Sequence, residues 1–353
     1  MKMLDELLKV DWSQYQNADS PSLPDIPSVM RALVSPYEDE RNGAAFELYD
    51  RVFQNHPRTL PHLIPFLIEL MEQSSVENRP TILKMLASLA GQSKQLENRA
   101  RLNHSLSEAI LRAFRCGMRL YSDYIADPSP GVREAAADAL GATRDLSVIP
   151  RLISQLNRED EIAVRRATLA ALGNLDARES IGQLLPFLGS EDLGERVQAA
   201  ATLIRLNGQS IRDRALPILI NAAIDPKATA SIILPALSGI HAAGQAGIGE
   251  AVRQWIEKVK TVPEEQITEH VRRLVFLVFS YNSSGTRSSL EGLNDIQRRV
   301  LEELILSPRI WNRLEQDQHK AVEVHGAYGE NFHPFYSFGL PTTKDELLEK
   351  LNH

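Results

Sequence analysis

Residue types able to do chemistry are scattered along this 353-residue chain and rarely spaced to act together. His319, Glu323, His325 and His333 are the densest group of metal-ligating types, but their irregular intervals give them no shared helical face, so no metal is expected there. The single thiol, Cys116 in "LRAFRCGMRL", excludes an internal disulfide and a thiolate cluster and reads as a small packing residue. "GQAGIGE" (244–250) is glycine-rich, yet it lacks the GxGxxG spacing and no strand precedes it; a turn between helices is expected. Phosphate-loop, HExxH and GxSxG signatures do not occur. The sequence therefore assigns no catalytic residue, no cofactor and no metal. His62 and His241 lie in apolar helical contexts and read as packed or capping residues.

Arginine is the one functional type with a pattern. From Gln95 to Pro226 there is no lysine, and every cation is an arginine, the residue suited to paired hydrogen bonds with carboxylates or phosphates. Arg112, Arg115 and Arg119 fall on one helical stripe, with Arg99 and Arg101 upstream, and only Glu97 and Glu108 oppose them. Two readings stay open: salt bridges between neighbouring helices, or a basic patch that docks an acidic partner. Nucleic acid is the least favoured ligand, because a net charge of −7 repels polyanions and anionic membranes from the molecule as a whole.

These residues are carried by a repeat. "DPSPGVREAAADALG", beginning at Asp127, is rewritten as "REDEIAVRRATLAALG" and again as "DLGERVQAAATLIRLNG". Val132, Ala135, Ala136, Ala139 and Leu140 form one apolar stripe of an α-helix, and small residues dominate it, so this helix must lie close to its neighbours. Gly141, Gly173 and Gly208 are expected to end the copies in a left-handed turn. A second helix with larger aliphatics follows each break: "LSVIPRLISQL", "ESIGQLLPFLG" and "SIRDRALPILINA". Such a pair cannot bury its own apolar surface, so pairs must stack.

The pattern "D…VR..A..ALG", carried by Asp127, Val132, Arg133, Ala136, Leu140 and Gly141 and again by Asp160, Val164, Arg165, Leu172 and Gly173, resembles HEAT repeats, specifically the short bacterial kind found in phycobilisome-lyase-like proteins. The resemblance implies an all-α fold, an α-α superhelix, in which the Asp and Arg residues stitch adjacent repeats. The third copy has Gln198 where the arginine is expected, which puts its stitch in doubt. Weaker copies extend the array in both directions; one pairs "NRPTILKMLASLAGQ" with a long second helix running through "LRAFRCGMRLYSDYIAD". The organisation expected is an N-terminal cap over 1–40, a solenoid over 41–260 and a C-terminal helical cap over 261–353. Within that cap the aromatic-rich segment 325–341 is expected to fold back on the end of the array.

In this architecture second helices line the inner curve, so Arg151, Gln155, Gln183, Arg212, Arg214 and Asn221 are the candidate contacts there. The function expected is a non-catalytic scaffold that binds another protein through that surface, one form of it being an immunity or antitoxin-like protein. The competing expectation is a HEAT-fold enzyme or enzyme subunit acting on a bilin or a DNA base, against which the aromatic-poor middle offers little for stacking. No stretch reaches the length of a membrane span, and a cytoplasmic location is expected. Oligomeric state is not readable.

Overall fold

The computed structural model describes residues 6–16, 20–73, 78–98, 104–207, 209–279, 293–325 and 333–351. Among these residues the regular elements are helices, and they form two compact units, 1–183 and 184–353. The fold is all-α, built of stacked helical hairpins, as the repeat requires.

The first unit contains α1 (Ile26–Ala32), α2 (Glu38–Glu47), which widens into a π turn over Leu48–Phe53, and α3 (Leu60–Gln73). Next come α4 (Arg79–Asn98), α5 (His104–Arg115), α6 (Met118–Tyr124), α7 (Pro130–Ala142), α8 (Ile149–Leu156) and α9 (Ile162–Asn174). Helix α7 packs between α4 and α9, and its stripe Val132, Ala135, Ala136, Ala139 and Leu140 is fully buried. Upstream, Trp12 is buried with its indole N–H donating to Leu7 O at 3.1 Å, and it meets Phe66 of α3 edge-on. Tyr15 stacks on His62, with ring centroids 4.5 Å apart. The N-terminal segment is thus an aromatic plug on α3.

A single helical turn, α10 (Ile181–Leu184), follows where a regular second helix was expected, and 3-10 turns flank it over Arg178–Ser180 and Leu185–Gly189. Gly182 and Pro186 explain the break: one weakens the helix and the other removes a donor from it. The second unit then runs through α11 (Leu193–Asn207), α12 (Gln209–Ile224), α13 (Ala230–Ala242), α14 (Gly244–Thr261), α15 (Glu264–Phe279), α16 (Asp295–Leu306), α17 (Pro308–His325) and α18 (Lys344–Leu351).

The glycines do something other than end helices. Gly141 lies inside α7, and Gly173 inside α9. The left-handed residues come three positions later, at Arg144 (φ 56°) and Asp176 (φ 52°). A Cβ on Gly141 would sit 2.6 Å from the Cα of Ala171, so the glycine is there to let α7 and α9 touch backbone to backbone. Gly208 falls outside the described residues. The run 244–250 also departs from expectation, forming the first turns of α14; only Gly244, with φ 72°, makes the reversal.

The arginine of the repeat is a turn clamp, and the third copy has one. Arg133 donates through Nη1 to the carbonyls of Asp127 (2.9 Å) and Pro128 (3.1 Å). Arg165 does the same to Glu159 (3.2 Å) and Asp160 (2.8 Å), and Arg196 to Ser190 (2.5 Å) and Glu191 (2.9 Å). Arg41 repeats the geometry on Ser35 and Pro36, both at 2.9 Å. Gln198 was therefore the wrong residue to align: Arg196, which precedes Val197 where the first two copies have the arginine after the valine, supplies the clamp, and the Gln198 amide donates to Thr202 instead. Stitching to the next repeat runs through Glu159, whose carboxylate accepts from Arg133 Nε (2.9 Å) and Nη2 (2.8 Å). Asp127 caps its own turn by accepting from the Ser129 amide at 2.8 Å.

In its described part the C-terminal aromatic segment packs against α15 and α17. Phe335 is fully buried beside Trp311 of α17, and Phe338 meets Phe276 and Phe279 of α15. Residues 326–332 of that segment lie outside the described residues.

Candidate partner-binding surface

The arginine stripe does not survive as one face. Helix α5 stops at Arg115 and α6 starts at Met118, because the Tyr121 ring occupies the space a Cβ on Gly117 would need, 2.5 Å away, and its hydroxyl donates to Phe114 O at 3.0 Å. Burial also pushes the Tyr121 hydroxyl above its ordinary pKa, so it stays a donor. Arg115 is itself exposed and reaches to the end of α7, donating through Nε to Thr143 O at 2.7 Å and through Nη2 to Arg144 O at 3.5 Å. It covers the carbonyls that the left-handed turn at Arg144 leaves at the helix end. Arg112 and Arg119 are exposed. Arg99 and Arg101 lie outside the described residues, as does the side chain of Glu97. Cys116 is exposed at the helix break and does not pack as expected.

The candidates on second helices separate in the same way. Arg151 on α8 and Gln183 on α10 are exposed. Gln155 is buried and is not a contact residue: its amide donates to Glu159, and its carbonyl accepts from Arg158 Nε (3.1 Å) and Nη2 (3.0 Å). It fell on the polar side of the helical pattern, yet the turn around Glu159 folds over it. Arg214 and Asn221 are exposed on α12.

Arg212 is the candidate that structure places in a concavity. A groove of about 310 Å³ runs between α12 and α14, lined by Arg212, Asp213, Leu216, Pro217 and Ile220 on one side and by Glu250 and Gln254 on the other. Glu250 accepts from Gln254 Nε2 at 2.8 Å and pairs with Arg253. The Gln254 hydrogen bond, then that of Arg253, hold its carboxyl below the ordinary glutamate range, and the charge of Arg212 adds to the effect. The groove therefore presents two acidic side chains, Asp213 and Glu250, beside one arginine and one amide over an apolar floor. Glu250 and Gln254 were legible as an i, i+4 pair on α14, but their position opposite Arg212 depends on how α12 and α14 pack.

Among the described residues the metal-ligating types do not gather. His319 and Glu323 are exposed on α17, whereas His333 is buried against Trp311 and Phe335; the side chain of His325 lies outside the described residues. Among the described residues no group of three or more His, Cys, Asp and Glu side chains is placed to hold a metal ion. His270 was overlooked in the sequence: it is buried on α15 and neither ring nitrogen has a hydrogen-bond partner. Among the described residues no helix is long and apolar enough to cross a membrane.

Two family models match the chain: HEAT repeats over residues 149–230, and the PBS lyase HEAT-like repeat over residues 132–158. No curated protein matches. Among solved structures the chain is similar to the complex of CpcE and CpcF of phycocyanin lyase from Nostoc sp., with 17% identity, a TM-score of 0.49, and coverage of 82% of this chain and 97% of that one. The repeated turn clamps of Arg133, Arg165 and Arg196 fall inside the stretch, residues 132–230, that is similar to HEAT repeats and, over its first part, to the PBS lyase HEAT-like repeat.

Proposed function

We propose that this protein is a non-catalytic scaffold that holds a partner protein against the polar groove between α12 and α14. The observation that carries this reading is the lining of that groove, where Arg212 and Asp213 face Glu250 and Gln254 above Leu216, Pro217 and Ile220. Opposite charges placed at fixed positions over an apolar floor give register and specificity to a protein interface. The state of Glu250 favours recognition over proton transfer, since a carboxyl held below its ordinary range is a poor acid or base near neutrality. A partner of mixed charge fits the groove; a uniformly basic effector, as an immunity-like role would suit, fits the overall charge of −7 but only half of this lining.

Pull-down from the native host with the full chain, beside Arg212→Glu, tests the proposal. The expected result is a protein retained by the wild type and lost with the variant. Absence of any enriched protein, or equal retention by Arg212→Glu, overturns it.

A second reading, a subunit of a bilin lyase, is favoured by the type of repeat matched at residues 132–158. Incubating the chain with a bilin and following its visible absorption separates the two: a covalent adduct supports the lyase reading, and an unchanged spectrum supports the scaffold.

A further inference from the structure

Helix α15 is the element on which the end of the second unit converges. Arg273 Nη1 donates to Asp225 O, in the turn before α13, at 3.0 Å, and the His241 ring of α13 donates through Nε2 to Leu277 O at 2.6 Å. Gln297 of α16 donates to Val278 O at 3.2 Å, and the Thr268 hydroxyl donates to Asp317 of α17 at 2.6 Å. Phe338 packs against Phe276 and Phe279. Helix α14 lies against α15 across the turn at residues 262–263.

His270 stands on the buried face of this helix. Ile267, His270, Val271, Leu274, Leu277 and Val278 recur at the three- and four-residue spacing of one stripe, and His270 is its polar member. It is 2% exposed, and neither Nδ1 nor Nε2 has a hydrogen-bond partner among the described residues. A neutral imidazole carries one donor and one acceptor, so folding leaves both without an exchange for the hydrogen bonds made in water.

The charged ring would need two acceptors, and the neighbours supply none. The charges that act on it are Arg273 and Glu269 of its own helix and Lys258 of α14. Two of these are cations. Glu269 is 48% exposed and already accepts from Arg272 and Arg273. On α17 the Asp317 carboxylate is held by Thr268 and Arg313, and α16 meets α15 through the neutral Gln297. His241, the titratable ring of α13, keeps its contact in either state, because a protonated imidazole still donates from Nε2. Burial first, then the Arg273 and Lys258 charges, hold His270 below its ordinary value of 6.5.

We propose that His270 is an acid-sensitive joint of the second unit: a proton on its ring unseats α15 from α14, and the helices that follow α15 part from those that precede it. Above 6.5 the ring is neutral in both forms and the joint is shut. As pH falls below that value only the opened form takes up the proton, so opening grows by up to about tenfold per pH unit until the closed ring itself titrates. The inference stands apart from the scaffold reading.

Amide hydrogen exchange on the full chain, corrected for the intrinsic rate, tests it at about pH 7.5, 6.5 and 5.5. The opened fraction reported by α15 amides is expected to rise by up to about tenfold over that range, while α7 amides stay level. His270→Leu completes the apolar stripe; it should abolish the rise and melt no lower than wild type at neutral pH. His270→Gln, polar but without a titration in this range, should abolish the rise even where it lowers stability. His333→Phe should retain it, which separates this joint from the C-terminal segment. Exchange of α15 that is independent of pH in the wild type, a rise that persists in both His270 variants, or a rise lost in His333→Phe overturns the inference. An equal rise in α11 also overturns it, assigning the effect to unfolding of the whole unit.

Discussion

Replacing Glu159 by alanine is the sharpest test of how the repeats are joined. Its side chain is 3% exposed and accepts from both Nε and Nη2 of Arg133, from the Gln155 amide and from the Glu161 backbone N–H at 3.1 Å. Alanine removes these acceptors at once. Arg133 keeps the carbonyls of Asp127 and Pro128, and at 16% exposure its guanidinium recovers some hydration. Breaking a fully buried pair costs ~3–5 kcal/mol; with that partial hydration the expected loss is about 2–4 kcal/mol. The pair Arg133→Met with Glu159→Leu leaves no orphaned charge and should be less destabilised than the sum of the single variants, by ~1–3 kcal/mol in a double-mutant cycle. Denaturant unfolding followed by circular dichroism measures both quantities. The pH profile gives an independent readout. Hydrogen bonding by Arg133 holds the Glu159 carboxyl below its ordinary value of 4.5, so its contribution is present above that value and is lost as pH falls through the lower folded-state pKa. Arg133→Met should flatten that acid limb. A Glu159→Ala variant within ~0.5 kcal/mol of wild type, the range of ordinary surface changes, would refute the claim that this carboxylate joins the repeats.

The remaining predictions address packing, caps and titration. Gly141→Val drives side-chain atoms into Ala171 and should destabilise by ~1–3 kcal/mol, whereas Gly91→Ala, with nothing within 4 Å of the new Cβ, should stabilise by ~0.5–1 kcal/mol; thermal melts distinguish the signs. Arg115→Ala should cost ~1 kcal/mol through the lost hydrogen bonds to Thr143 and Arg144, while Arg112→Ala and Arg119→Ala stay within ~0.5 kcal/mol in the same melts. Burial pushes His333 down to about 4, so the folded state resists protonating it. Stability should then decline as pH falls from 6.5 to about 4, by at most ~3 kcal/mol from this group, and His333→Phe should remove that share of the decline in a pH series of unfolding curves.

Much of this architecture was legible without coordinates, because a small-residue stripe repeated at constant spacing admits one packing solution. The buried face of α7 is the stripe read from Val132 to Leu140, and aromatic residues near both ends pack on neighbouring helices, Trp12 on Phe66 and Phe335 on Trp311. Misreadings came where a residue's local propensity and its tertiary duty differ. Gly141 has the composition of a helix stop but serves interhelical contact, information held by Ala171 thirty residues away. Gln198 was aligned by the valine register, while the clamp follows the carbonyls of the preceding turn, which places it at Arg196.

The candidate surfaces show the same division. Periodicity put Gln155 and Arg212 alike on polar flanks of second helices. Only packing decided that one is enclosed by Arg158 and Glu159 and that the other opens onto a groove with Glu250. The sequence by itself determined that helices form, which of their faces are apolar and that hairpins must stack, since those properties follow from side chains a few residues apart. The tertiary structure alone decided where two helices close through glycine and where they leave a groove between them, because a groove is set by the side chains of both its walls.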